Sequence, residues 1–282
     1  MRLIATTAFK GTMTPLEACQ YLSRPGDRLL PLSDGGDGFI ECLQHGLGGK
    51  INETPAADPF GRIRGVPVLQ LADGTAVLEC AKVIGLAGLD RLDPLNASSR
   101  GLGDLLAHYR DAPRIWLGLG GSATVDGGRD WPMLTLPPTT VFCDVTTDLL
   151  DAAIIYGPQK GARPEDIPVF TQRLSSLGGL PRGPRTGAAG GLGAKLASLG
   201  AELVDGAERI LDVLDFEAAC RGCESVVTGE GRLDTSSLEG KLPVAVARRA
   251  HALGLPVIGH FGCKGEGWER AARLFDQVSF ET

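Results

Sequence analysis

MRLIATTAFKGTMTPLEACQYLSRPGDRLLPLSDGGDGFIECLQH, residues 1–45, decides the fold class. Residues 2–5 form a short apolar run that predicts a strand. The TPLE sequence at 14–17 begins a helix to about residue 22, because it supplies Thr at the N-cap, Pro at N1 and Glu at N3. Residues 27–32 predict a second strand, and 39–45 a second helix. Strands that alternate with helices in this way are typical of an α/β fold.

The rest of the chain suggests a second lobe between two parts of the first. Residues 65–71 and 75–80 alternate around Asp73-Gly74, which predicts a hairpin. Further strands are expected at 114–119, 141–145, 225–228, 256–261 and 277–280, and helices at 96–108, 188–199, 204–214, 243–253 and 268–274. We therefore expect residues 1–60 and 200–282 to build a parallel-sheet lobe and 61–199 to form an inserted second α/β lobe.

Four glycine-rich stretches carry the chemistry. They are 31–38 (PLSDGGDG), 118–128 (GLGGSATVDGG), 186–193 (TGAAGGLG) and 228–234 (TGEGRLD). Glycine lets the backbone approach a ligand closely and point bare N–H groups at anionic oxygens. Three of the stretches also contain carboxylates, which suit Mg²⁺ or the removal of a hydroxyl proton. Together they predict a phosphoryl-transfer site.

Composition excludes several other classes of protein. The 282-residue chain is 43% apolar and 22% charged, which is typical of a globular enzyme. Its net charge of −6 gives no basic face for nucleic acid or anionic lipid. No apolar run reaches transmembrane length, and seven scattered cysteines predict reduced thiols, so we expect a cytoplasmic protein. The spacing of Cys220 and Cys223 lacks a second pair and is interpreted as incidental. A homodimer is left open.

The sequence does not support either of two common nucleotide-binding motifs. Residues 118–123 match G-x-G-x-x-A, and Asp144 ends the next strand, as in a dinucleotide site. The prolines at 132, 137 and 138 lie where the crossover helix of such a site should run, which argues against a dinucleotide site. No Walker A sequence occurs, and the four histidines show no metal-ligand spacing.

Single residues leave alternatives open. Lys10 is a phosphate ligand at the mouth of a parallel sheet or a solvated lysine. Asp34 and Asp37 are functional or belong to a turn. Ser99 and Arg100 begin a helix, where they bind a carboxylate or serve as a cap and a surface cation.

As a set, the motifs resemble the bacterial glycerate kinase family of the glycerate 2-kinase type. The stretches that carry the resemblance, in the family's order, are AFKGT at 8–12, SDGGDG at 33–38, DPLNASSRG at 93–101, GGSATVDGG at 120–128, CDVT at 143–146, YGPQKG at 156–161, GAAGGLG at 187–193, TGEGRLD at 228–234 and EGKLP at 239–243. The resemblance implies phosphorylation of D-glycerate with ATP and Mg²⁺, usually at the 2-hydroxyl. It also implies a flavodoxin-like lobe and a second α/β lobe with the site between them.

Two departures from the family pattern bear on substrate choice and activity. The family's first loop reads Asp-Ser-Phe/Tyr-Lys, whereas this chain has Thr7 and Ala8 before Phe9 and Lys10. A segment usually found between the SATVDGG loop and the CDVT strand is absent, and residues 131–138 form a short bridge in its place.

Residue chemistry then assigns the expected roles. Lys10, Asp34 and Asp234 are the catalytic candidates, with Asp34 and Asp234 also the metal ligands. Substrate binding is assigned to Ser99, Arg100, Gly35 and Gly36. Phosphate or nucleotide binding is assigned to Gly120, Gly121, Ser122, Thr124, Asp126, Gly190, Gly191, Gly229, Glu230 and Lys241. The alternatives are a kinase for another small hydroxy acid and a catalytically weak protein that binds nucleotides or metabolites.

Overall fold

The computed structural model describes residues 1–281 and all their side chains except that of Glu239. The strands are β1 (Arg2–Ile4), β2 (Arg28–Leu29), β3 (Lys50–Ala57), β4 (Ile63–Gln70), β5 (Ala76–Glu79), β6 (Ile115–Gly118), β7 (Thr139–Cys143), β8 (Glu202–Asp205), β9 (Ser225–Leu233), β10 (Val257–Lys264) and β11 (Gln277–Phe280). The α-helices are α1 (Pro15–Leu22), α2 (Phe39–Leu47), α3 (Cys80–Ile84), α4 (Arg100–His108), α5 (Ala152–Tyr156), α6 (Ile167–Ser175), α7 (Ala188–Ser198), α8 (Gly206–Val213), α9 (Phe216–Ala219), α10 (Leu242–Ala252) and α11 (Trp268–Ala272).

The first of two compact units combines Met1–Asp34, Glu41–Gly48 and the chain from Ala207 onward. Its five strands lie in the order β11-β10-β9-β1-β2, and all four pairings are parallel. The predicted helix start is confirmed, since the Thr14 side chain accepts from the Glu17 N–H and the Glu17 side chain accepts from the Thr14 N–H. Ile4 and Val227 pack in the core with Cys19 of α1.

The second unit comprises Gly35–Ile40 and Gly49–Gly206. Its sheet has the order β3-β4-β5-β6-β7-β8, antiparallel from β3 to β5 and parallel from β5 to β8. The hairpin around Gly74 is confirmed, with the Thr75 N–H donating to Asp73 Oδ1. This core is made mainly of buried aliphatic side chains from strands β4 to β7 and helices α3, α4 and α7, and it also includes Ala56 of β3 and Trp131. The mixed α/β architecture of both units confirms the expected fold class.

The observed units differ from the expected boundaries at residues 60 and 200. Residues 50–57 were placed in the first lobe, but β3 pairs along its whole length with β4 of the second sheet. Residues 202–205 pair with β7, so they also belong to that sheet. The expected helix at 204–214 was wrong in its first residues, because β8 occupies them and α8 begins at Gly206.

The strand expected at 225–228 is longer than predicted. Strand β9 continues to Leu233 because β10 pairs with it as far as Leu233. A Cβ on Gly229 would lie only 1.8 Å from the carbonyl oxygen of His260, so glycine is required for the close approach of these strands. None of the helices in residues 1–281 has both the length and the apolar character needed to cross a bilayer.

Candidate active site

Parallel strands of the second unit bring polar residues to one edge of its sheet. Glu79 ends β5, Gly120 follows β6 and Asp144 follows β7. The three strands are parallel neighbours, so their carboxyl ends share an edge. A Cβ built on Gly120 would lie 3.1 Å from Asp144 Oδ2, which places these two residues side by side. The carboxyl edge of a parallel sheet is where open α/β folds bind ligands.

The loop that leaves β6 is held from below by a buried lysine. Lys160 is 3% exposed, and its Nζ donates to Ser122 Oγ at 2.8 Å and to the Thr124 carbonyl oxygen at 2.7 Å. Thr124 Oγ1 is buried without a hydrogen-bond partner among the described residues. Gly121 at the tip of this loop is exposed and has a φ of +70°. The expected phosphate-binding residues at 120–124 therefore lie together on one loop.

Asp126 ties the same loop to the start of α4. Its Oδ2 accepts from the Ser99 N–H at 2.7 Å and from Ser99 Oγ at 2.9 Å. The indole Nε1 of Trp131 donates to Ser99 Oγ and to the Ser99 carbonyl oxygen. Ser99 is fully buried, with its hydroxyl hydrogen committed to Asp126. This geometry makes Ser99 a support for Asp126, and its expected role as a direct carboxylate ligand stays a prediction.

Arg100 is exposed at the first position of α4. Its Nε donates to Asp104 Oδ1 at 2.9 Å, and its Nη1 donates to the Asp130 carbonyl oxygen. Exposed ion pairs of this kind contribute little to stability. The side chain can therefore exchange these partners for a ligand at small cost.

Gly190 and Gly191 pack under the loop and do not open toward solvent. Both are buried, with φ values of +70° and +95° that interrupt α7. A Cβ on Gly190 would lie 2.1 Å from the Thr124 carbonyl oxygen, the same oxygen that accepts from Lys160. The Gly127 N–H donates to the Gly190 carbonyl. Their close packing shapes the loop 120–126, and their expected role in phosphate binding stays a prediction.

The stretch at 35–38 is also packed closely. A Cβ on Gly35 would lie 2.2 Å from the Phe142 carbonyl oxygen, and one on Gly120 would lie 2.7 Å from the Cα of Gly36. The buried carboxylate of Glu79 accepts from the Gly38 and Ile40 N–H groups at 3.1 and 3.0 Å. Burial raises the pKa of Glu79. The carboxylate of Glu79 therefore occupies the place at the start of α2 where these backbone N–H groups could otherwise bind an anion.

A second cluster of polar side chains lies at the carboxyl end of β9 in the first unit. Lys241 Nζ is 3.6 Å from Glu230 Oε2 and 3.7 Å from Asp234 Oδ1. Burial raises the pKa of Glu230, to which the charge of Asp34 adds, whereas Lys241 and a hydrogen bond from Ser237 oppose the shift. Burial also acts to raise the pKa of Asp234, but hydrogen bonds from Ser236 and the charge of Lys241 lower it overall.

Lys10 lies in the turn that follows β1 and is exposed. A Cβ on Gly231 would lie 3.3 Å from the Lys10 backbone nitrogen, so this turn rests against the end of β9. The Gly229 carbonyl accepts from Thr6 Oγ1 and from the Thr7 N–H. Gly229 therefore serves strand packing at this point, and its expected role in phosphate binding stays a prediction.

The first unit offers oxygen ligands suited to a magnesium ion bound together with phosphate. Among residues 1–281, no group of three or more His, Cys, Asp or Glu side chains could hold a metal ion alone. Mg²⁺ usually takes only one or two carboxylates and completes its shell with water and substrate phosphates. Glu230 and Asp234 supply carboxylates of the right type near Lys241, and the charge of Asp34 acts on Glu230, so these residues fit Mg²⁺ delivered with a nucleotide.

Glycine loops and paired charges at the carboxyl edges of parallel strands are typical of α/β enzymes that bind phosphorylated small molecules. The model of the glycerate kinase family matches residues 2–131 and 132–279. The chain is 32% identical to the glycerate kinase of Bacillus subtilis (strain 168), over 92% of this chain and 84% of that protein. It is also 32% identical to the glycerate 2-kinase of Escherichia coli (strain K12), over 92% and 80%.

A solved structure gives the same result. A protein of Salmonella typhimurium LT2, described as glycerate kinase 2, matches with a TM-score of 0.77 and 28% identity, over 99% of this chain and 90% of that one. The chain therefore belongs to the glycerate kinase family, and the expected resemblance is confirmed. The family match is divided between residues 131 and 132, where the sequence indicated a missing segment.

Two site residues were not among the sequence-based candidates. Lys160 appeared only inside the YGPQKG stretch, and Glu79 only inside the predicted strand 75–80. Both are charged residues that are buried, at 3% and 1% exposure. Glu79 could have been noticed because a charged residue ended an apolar run in a buried strand, whereas Lys160 in a glycine- and proline-containing stretch is indistinguishable from a surface lysine.

Proposed function

We propose that this protein is an ATP-dependent kinase that transfers the γ-phosphoryl group to the 2-hydroxyl of D-glycerate. The observation that carries the proposal is the family match along residues 2–279, in a chain that retains the polar groups at both sheet edges. Phosphoryl transfer depends on positioning and charge neutralisation more than on covalent chemistry of the protein.

In the first unit, lysines and carboxylates have complementary roles. Lys10 and Lys241 neutralise phosphate charge, and Asp34 and Asp234 are the carboxylates assigned to Mg²⁺. The ion, when bound, neutralises the charge of phosphate oxygens. The lowered pKa of Asp234 keeps it ionised near neutral pH, as a metal ligand requires. The raised pKa of Glu230 suits a carboxylate that accepts a proton.

In the second unit, the loop 120–126 is assigned to anionic groups of the substrates. Gly120 and Gly121 let ligand oxygens approach the backbone, and Gly121 is exposed. Asp126 and Ser99 fix the loop against α4. Arg100 stands at the N-terminus of α4, where its guanidinium and the helix dipole both favour the carboxylate of glycerate.

The first test is ADP release from ATP in the presence of Mg²⁺ and D-glycerate, followed by identification of the product. We expect turnover in the usual kinase range of about 1–100 s⁻¹. Direct conversion of the product by enolase would identify 2-phosphoglycerate, and its failure would identify the 3-isomer. Bound ATP with no turnover on glycerate would contradict the proposed substrate.

A kinase for another small hydroxy acid is the second candidate function. Thr7 and Ala8 replace the polar Asp-Ser pair of the family pattern, and residues 131–138 bridge a missing segment. Both changes alter the surroundings of a substrate without removing the phosphate-binding groups. A panel of short 2-hydroxy acids assayed with ATP and Mg²⁺ separates this candidate from the first by their kcat/KM values.

Variants distinguish an enzyme from a binding protein. We expect Lys10→Ala and Asp234→Ala to lower kcat at least about 100-fold, because each removes charge stabilisation of the transferred group. Lys50→Ala is the matched control, since Lys50 is an exposed lysine at the start of β3. Circular dichroism verifies folding. A loss of affinity alone, with kcat unchanged, would contradict catalytic roles for Lys10 and Asp234, whereas a protein that only binds nucleotide would show no turnover in wild type and a loss of affinity in these variants.

A further inference from the structure

Lys160 lies in the protein interior, where a charged side chain lowers the stability of the fold. It ends the 3₁₀ turn Pro158–Lys160, and its side chain runs into the interior beneath the loop 120–126. Both of its hydrogen-bond acceptors, Ser122 Oγ and the Thr124 carbonyl oxygen, are neutral. A buried ammonium group is retained at a cost in stability, and an apolar residue would fill the same space more cheaply. The charge therefore calls for a role beyond packing.

The groups that face Lys160 come from three other elements. They are Cys80 at the start of α3, Asp126 on the loop itself and Asp144 after β7. Burial lowers the pKa of Lys160 to about 8, while these three groups oppose the shift. The ammonium form consequently dominates at neutral pH and is lost in the mildly alkaline range.

The hydrogen bonds of Lys160 prepare the loop for an anion. Because Nζ donates to Ser122 Oγ, the hydroxyl hydrogen of Ser122 remains for another acceptor. Its bond to the Thr124 carbonyl holds that oxygen in the interior, against the buried ammonium group. Gly190 leaves the room for this arrangement, since a Cβ there would overlap the same oxygen.

We propose that Lys160 is a positioning residue for the nucleotide phosphates: it fixes Ser122 and Thr124 and places one positive charge under the exposed tip of the loop. This inference rests on the proposed kinase function and names the residue that prepares the phosphate-binding loop. Its effect is exerted on the binding of MgATP through Ser122, and D-glycerate binding is expected to be unaffected.

The test compares wild type with Lys160→Met and Lys160→Arg, and Lys50→Met serves as the control for the same substitution on the surface. Steady-state constants are measured for both substrates from pH 6 to 10, and thermal unfolding verifies that each variant folds. We expect Lys160→Met to raise the KM for MgATP roughly 10- to 100-fold while the KM for glycerate stays within about twofold. The wild-type kcat/KM for MgATP should fall above about pH 8, and this alkaline decline should be absent in Lys160→Met.

Rescue and coupling measurements separate positioning from a structural role. Lys160→Arg keeps a charge at all these pH values, so its activity should persist above pH 8. Ser122→Ala and Lys160→Met should be non-additive in a double-mutant cycle, because both remove the same prepared donor. A folded Lys160→Met with a wild-type KM for MgATP, or with the same alkaline decline, would overturn the proposal. If Lys160→Met does not fold, a wild-type profile that is flat between pH 7 and 9.5 overturns it.

The kinase proposal can fail separately. Wild type that does not phosphorylate glycerate contradicts the substrate, and MgATP binding by calorimetry then becomes the readout for Lys160. Weaker binding in Lys160→Met supports the positioning role under those conditions. Equal affinity in the two proteins, or no binding by either, overturns it.

Discussion

Glu79 shows how one buried side chain can change the meaning of a glycine-rich stretch. The residues around Gly36 were expected to offer N–H donors to a substrate. In the structure, the carboxylate of Glu79 accepts from the N–H groups of Gly38 and Ile40 at the start of α2. Lys82, 4.0 Å away, is the nearest opposite charge. Gly38 and Ile40 therefore secure the start of α2, and the expected substrate-binding role of Gly35 and Gly36 stays a prediction.

The raised pKa of Glu79 predicts that the stability of the folded protein depends on pH. An acid whose folded pKa exceeds its unfolded value of 4.5 contributes stability that is fully present below that pH and is lost as pH rises through the folded pKa. Replacing Glu79 by Gln removes the titration and weakens one hydrogen bond by a constant amount. We expect the melting temperature of Glu79→Gln, measured relative to that of wild type, to increase as pH rises from about 4.5 to 8.

Differential scanning calorimetry across this range is the measurement. The control is Glu53→Gln, because Glu53 is an exposed glutamate on β3 of the same unit. A difference between Glu79→Gln and wild type that stays constant with pH would show that Glu79 has the same pKa in the folded and unfolded states.

At this scale the sequence located loops better than it assigned roles. Ser122 and Asp126 were picked out because glycines surround them, and both lie in the cluster under β6. Lys160 and Glu79 were missed because what sets them apart is burial, which arises from packing between distant segments. Ser99 was placed correctly at the start of α4, but only the structure shows that Asp126 and Trp131 occupy its polar atoms.

Helix α7 illustrates how an element can be bent to serve a neighbouring loop. It was expected to run without interruption from residue 188, as its small residues suggested. Three consecutive residues, Ala189, Gly190 and Gly191, adopt left-handed conformations instead. The resulting kink brings Gly190 against the Thr124 carbonyl oxygen. Helix α7 is therefore irregular at the point where it supports the loop that follows β6.

Substituting Gly190 by Ala tests this arrangement. The left-handed conformation alone costs an alanine about 1–2 kcal/mol, and the added methyl group would overlap a backbone oxygen. We expect Gly190→Ala to reduce the free energy of unfolding by about 3–5 kcal/mol and to weaken MgATP binding. Urea unfolding monitored by circular dichroism measures the change.

Gly200 provides the matched control for backbone strain. Its φ is +88°, and no heavy atom lies within 4 Å of the position of an added Cβ. Gly200→Ala should therefore lose only about 1–2 kcal/mol and keep its MgATP affinity. Equal losses in the two variants would mean that strain alone, and not the contact with Thr124, explains Gly190.

In the second sheet, the strands that were predicted well are the buried central ones. Strands β6 and β7 and the hairpin of β4 and β5 have strong apolar patterns. The two edge strands of that sheet were missed: β3 contains Pro55 and several polar residues, and β8 has only Leu203 and Val204 as apolar members. Edge strands lack a neighbour on one side, so they need little apolar surface and leave a weak trace in sequence.

The whole molecule binds an anion in this proposal while carrying a net charge of −6. Charges farther apart than the Debye length of about 8 Å at physiological salt are largely screened, so close groups decide the affinity. Lys241, Lys160 and Lys10 supply positive charge next to the two polar clusters.

Nucleotide binding should therefore stabilise the folded protein as a whole. MgATP at 100 times its Kd adds about 2.7 kcal/mol to the free energy of unfolding, which corresponds to a rise in Tm of about 5–10 °C for a chain of this size. Thermal unfolding with and without MgATP measures the shift, with Mg²⁺ alone as the reference. Lys241→Met should lose much of the shift, because it removes a cation held between Glu230 and Asp234, while exposed Lys50→Met should keep it. A Tm that MgATP leaves unchanged in wild type would contradict nucleotide binding, and with it the kinase assignment for this chain.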